Sequence, residues 1–178
     1  MSWTGQAEVL ADTSELAVEA HAMAGHCRAT GLDPRSFHGI IGAAIALGAY
    51  PVNATGIPWA SDKDLIIAIC DLLDLIADRW RDHQRLVYAV ANRRAWARAC
   101  YQGAPDDPGA GFYLNVIADC NTALETLEPL PGRLRAATAR LNAAPEQLGE
   151  TYAAVYRLLA AGRRMPVDGR WITGEDPR

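Results

Sequence analysis

From Ser61 to Gln102 the chain contains neither proline nor glycine, and no other segment constrains the fold as tightly. Such a run reads as one long helix, with the remaining segments as partners packed along it. Ser61-Asp62-Lys63-Asp64 opens it as a capping box, in which the Ser61 oxygen accepts from the Asp64 N–H and the Asp64 carboxylate reaches back. Gly103-Ala104-Pro105 closes it, as glycine and proline commonly do just past a helix end. A straight helix of this length is ~60 Å long, whereas a compact globule of such a chain is about 40 Å across. The expectation is an elongated molecule or a bent helix.

At 100° per residue, Ile69, Leu72, Leu73, Ile76, Trp80, Val87 and Val90 share one stripe that also contains His83. Asp71, Asp74, Asp78, Asp82, Arg85 and Asn92 lie opposite. Past Val90 the pattern inverts: Arg94 and Arg98 continue the apolar stripe, and Trp96 falls on the polar side. The helix is expected to kink near Asn92-Arg93, to fray, or to carry its last turns onto another surface. Arg93, Arg94, Trp96 and Arg98 are the candidate partner-binding residues of this end.

The 178 residues are read as a single helical domain. Its parts are an N-terminal helix pair (12–48), the central helix (61–102), a kinked return arm (111–163) and a C-terminal tail (165–178). Asp12 with Glu15 caps the first helix, which runs to Thr30 with Leu16, Ala20, Met23 and Cys27 inward, and Met1 to Gly5 is a short lead. Asp33-Pro34 starts the second helix. Phe37, Ile40, Ile41, Ala44 and Ile45 line one side of it, and Gly39, Gly42, Ala43 and Ala46 the other, so burial nearly all round is expected.

Gly103 to Gly111 forms the bend of an antiparallel hairpin. The return arm begins near Phe112, with Tyr113, Val116, Ile117, Cys120, Leu124 and Leu127 inward. Pro129 and Pro131 break it, helix resumes from Gly132 to Ala143, and Pro145 seeds the last helix. Apolar residues recur every seven positions at Cys120, Leu127, Leu134, Leu141, Leu148 and Val155, a signature of helices packed side by side. The tail holds a hairpin about Asp168-Gly169. Trp171 within it is a further candidate partner-binding residue, because a solvated tail would be polar.

Arginine outnumbers lysine sixteen to one, and the net charge is −4. Up to Asp78 ten acids face three bases, and from Arg79 onward fourteen bases face eleven acids. That balance disfavours a general nucleic-acid binder. Four scattered cysteines without a C-x-x-C pair, no signal peptide and no long apolar run indicate a reducing, cytoplasmic setting with no membrane span.

Catalytic and metal motifs are missing. The aspartate series reads as a solvated face, and His21 and His26 diverge on a helix by about 140°. No phosphate loop, nucleophile elbow or metal-binding E-x-x-H occurs. Neither metal nor cofactor is therefore expected. Cys27 to Gly42 resembles a helix-turn-helix in outline, yet only Arg35, Ser36 and His38 would face bases. The predicted fold is all-α, an elongated helical bundle built on a long antiparallel hairpin with a short extended or hairpin-like tail. The predicted role is a non-enzymatic interaction or assembly protein, self-associating or part of a larger complex. Alternatives are a nucleic-acid-associated regulator using residues 27–42 or the central-helix arginines, and an enzyme with a site inside the bundle at His83.

Overall fold

The structure, a computed structural model, describes residues 2–32, 34–48, 62–160, 166–167 and 170–171. The fold is all-α. Among the described residues there are seven helices: α1 (Trp3–Ala11), α2 (Ser14–Ala29), α3 (Pro34–Ala46), α4 (Asp62–Gly103), α5 (Ala110–Leu127), α6 (Leu130–Gln147) and α7 (Glu150–Ala160). Two-residue strands β1 (Pro166–Val167) and β2 (Arg170–Trp171) pair antiparallel, with Pro166 opposite Trp171. The Ser61 cap, the connector 49–60, the Asp168-Gly169 turn and the side chains of Phe37 and Trp171 lie outside the described residues. The chain gathers into two compact units. One holds residues 1–12 and 79–131, the other 13–78 and 132–178.

In the first unit α5 returns antiparallel to the C-terminal half of α4. Arg94 donates to Asn121 and Trp96 meets Tyr113, so partner numbers fall on one helix as they rise on the other. Against expectation, the stripe of α4 does not invert. Asp62–Gly103 is one α-helix of 42 residues, and Ala97 is fully buried after Val90. Ile69, Ile76, Val90 and Ala97 are buried and His83 is half-buried, so the seam advances by sevens. A seven-residue repeat drifts ~20° per heptad from a 3.6-residue helix. Projected at 100° per residue from Ile69, the seam is therefore misplaced by about 80° at position 97. Arg94 flanks the true seam, and Arg98 is exposed.

The first unit also contains α1, where the sequence reading had only a lead. The first three N–H groups of the helix find acceptors outside its own backbone ladder, and the fourth makes the first helical bond. Trp3 and Thr4 donate to the two carboxylate oxygens of Asp119 (2.9 and 3.1 Å), Gly5 to the Ser2 hydroxyl (3.0 Å) and Gln6 to the Ser2 carbonyl (3.2 Å). At its other end the Arg79 guanidinium reaches the carbonyls of Val9, Leu10 and Asp12 at 3.0–3.2 Å. A carboxylate at the N-terminus and a guanidinium at the C-terminus both favour the helix dipole. Alone, nine residues would be a marginal helix. The signal missed was Ser2 before Trp3, because the partners lie on distant segments.

In the second unit α2 and α3 pack as a tight pair. Gly31 (φ 68°) ends α2 in a Schellman turn, with Leu32 N–H bonded to the Cys27 carbonyl and Gly31 N–H to that of Arg28. Leu16, Ala20, Met23 and Cys27 are buried as expected. The inner face of α3 is Ile40, Ala43 and Ala44, continued by Leu47 just past its end, and Ile45 is exposed, which corrects the all-round burial. The spare space at Gly42 is filled by the guanidinium of Arg140 on α6. Pro145 does not seed α7. It lies inside α6, which continues to Gln147, and Gly149 (φ 116°) makes the break. A proline removes one N–H bond, and α6 ends two residues later. Leu134 and Leu141 are buried here, as Leu127 is in the first unit, at positions seven apart in the sequence. Buried Tyr156 ties α7 to α6 through the Asn142 side chain.

Candidate interaction surface

The end of the α4–α5 hairpin carries two exposed aromatic residues, Trp96 and Phe112, while Tyr88 is exposed further back on α4. On α4 the Arg93 guanidinium carbon lies 4.0 Å from the Trp96 ring centroid, within cation–π range. The residues are three apart and so share one helical face. Across the hairpin the edge of Tyr113 meets Trp96, with centroids 5.6 Å apart and planes at 70°, and Phe112 meets Tyr113 at 5.5 Å and 71°. Both are edge-to-face geometries. The row reads Arg93, Trp96, Tyr113, Phe112. Trp96 is 42 % and Phe112 55 % exposed, so internal stacking orders the rings without hiding them.

The sequence-predicted residues separate into distinct roles. Arg93 and Trp96 belong to the row. Arg94 is half-buried, donating to Asn121 Oδ1 at 3.2 Å, and so joins the two helices. Arg98 is exposed beside the row on α4. Backbone pairing places Trp171 in β2; its ring lies outside the described residues. Phe112 and Tyr113 were not singled out as partner-binding. The antiparallel bend about Gly103–Gly111 is the signal that would have found them, since it sets 112 and 113 opposite 96.

His83, the residue of the enzyme alternative, is half-buried on α4 beside Trp80, with ring centroids 6.4 Å apart. Its Nδ1 is buried with no hydrogen-bond partner among the described residues. Burial holds the imidazole below its ordinary 6.5, and the Leu127 backbone partly opposes this. Between the lowered folded value and 6.5 the unfolded chain binds more protons, so stability falls as pH drops below about 6.5. Melting followed from about pH 5 to pH 7.5 will show this slope, and His83→Gln will flatten it. An unchanged slope in the variant would assign the effect elsewhere.

Burial, with Asp71 second, raises the Glu19 carboxyl above its usual range. Among the described residues, no three His, Cys, Asp or Glu side chains gather where they would hold a metal ion. Nor is any helix among them long and apolar enough to cross a membrane. Compared with known protein families, curated proteins and solved structures, the chain matches none.

Proposed function

We propose that the chain is a helical interaction module that binds a protein partner, or a second copy of itself, through the end of its α4–α5 hairpin. The observation that carries this reading is the Arg93–Trp96–Tyr113–Phe112 row, ordered by its own stacking yet open to solvent. Protein interfaces are enriched in aromatic residues and arginine, and tryptophan, tyrosine and arginine dominate binding hot spots. Rings already held in place lose less side-chain entropy on association. None of the four cysteines is in a disulfide and three are buried like small hydrophobes, which agrees with a reducing cytoplasmic setting.

Phe112→Ala combined with Arg98→Ala removes exposed groups, so the change in stability should stay within about 0.5 kcal/mol while association falls at least tenfold. Arg94→Ala should instead lower stability by about 1 kcal/mol through the lost Asn121 bond. Calorimetry paired with sedimentation, on the purified chain and on the complex recovered from its native cells, reads both. Intact association in the Phe112/Arg98 variant refutes the assignment.

A further inference from the structure

We infer that the face of the α4–α5 hairpin occupied by α1 is a helix-acceptor site that also takes α1 from a second copy of the chain, giving a dimer by helix exchange. Three observations lead there. The first is that α1 is fastened at its two ends: Asp119 holds the Trp3 and Thr4 amides, and Thr4 Oγ1 adds a 2.6 Å bond to the same carboxylate. Arg79 grips the last carbonyls. Every one of these contacts joins α1 to α4 or α5, so a second copy would make each of them unchanged.

The second is the slightness of what lies between the pins. Ala7 is the one fully buried residue of α1, and Val9 is 65 % exposed. A short helix with little buried apolar surface belongs to the low-stability end of a structure and opens first. Its end contacts choose where it docks, while burial alone would hold it weakly.

The third is the joint. Chain membership changes from the first unit to the second between Asp12 and Thr13, two residues that separate α1 from α2. Asp12 is extended (φ −72°, ψ 112°), and the Thr13 hydroxyl donates to the Leu47 carbonyl. Neither proline nor glycine stands between Gly5 and Gly25, so nothing in the covalent chain prevents helix from running through the joint when α1 lets go. Exchange of an identical element between copies is a low-cost route to a dimer, and short connectors favour it.

This inference is independent of the aromatic row. The test mixes an isotopically heavy full-length chain carrying p-benzoylphenylalanine at Val9 with light wild-type chain. The mixture is warmed gently at high concentration, cooled, irradiated and digested. Val9 is exposed, so the probe leaves α1 seated. Exchange predicts heavy-to-light linked peptides joining residues 3–11 of one chain to 79–131 of the other. Adding Ala7→Glu to the heavy chain, which spoils the buried face of its α1, should lower them at least tenfold. Links found only within heavy chains overturn the inference. So do heavy-to-light links that persist with Ala7→Glu, which would mark a contact that is not α1 docking. Phe112→Ala should leave the exchange links unchanged, separating this result from the fate of the hairpin-end surface.

Discussion

Ala97→Glu will destabilise the protein on the order of 3–5 kcal/mol, the penalty of an uncompensated buried charge, while Ala95→Glu and Ala99→Glu will change stability by less than about 0.5 kcal/mol. Three alanines alternate here within five residues, and composition does not distinguish them. Ala97 is fully buried, while Ala95 and Ala99 are exposed. It takes the seam position seven residues after Val90, where a carboxylate would have to be dehydrated between helices. Cavity and overpacking effects do not arise at the two outer positions. Denaturant melts of the three variants give the comparison. Equal, small effects at all three would show that the seam leaves α4 before its last turns.

Leu134→Ala will lower stability by about 2–5 kcal/mol, the sum of lost transfer energy and the remaining cavity. In a chain of this length that corresponds to a fall of roughly 4–20 °C in melting temperature. Leu134 is almost fully buried on α6 and follows Leu127 by one heptad across two prolines. Leu158→Ala is the matched control, because Leu158 on α7 is 79 % exposed and its truncation leaves no cavity. Calorimetry of both variants should show one large shift and one near zero. A small effect at Leu134 would mean that the α6 seam is loosely packed.

The repeat on the return arm was legible because leucine marks most of its positions. Leu127, Leu134 and Leu141 are buried as that repeat requires. Its counterpart on α4 was hidden, since two of its positions are His83 and Ala97, which no hydrophobic pattern selects. Reading α4 with a 3.6-residue period then turned the drift of a seven-residue seam into an apparent inversion. Helix α1 escaped for a different reason: its end contacts come from Arg79 and Asp119, far away in sequence. The stop of α2 at Gly31 reads directly from the sequence, whereas the end of α6 does not, because Pro145 suggests a boundary that Gly149 makes. Of the candidate surface, Trp96 and the arginines stand out by type, whereas Phe112 and Tyr113 need the hairpin register.

Fluorine NMR tests the hairpin-end surface most directly, because the chain has two phenylalanines, Phe37 and Phe112. Labelled throughout with 4-fluorophenylalanine, it gives one resonance from each, assigned by Phe112→Leu. The difference in shift between light and heavy water reports how far water reaches each ring. On association, reached by concentration or in extract of its native cells, the Phe112 difference should collapse while that of Phe37 stays constant. A Phe112 ring that keeps its full solvent response in an assembled protein would contradict an interface at the end of the α4–α5 hairpin.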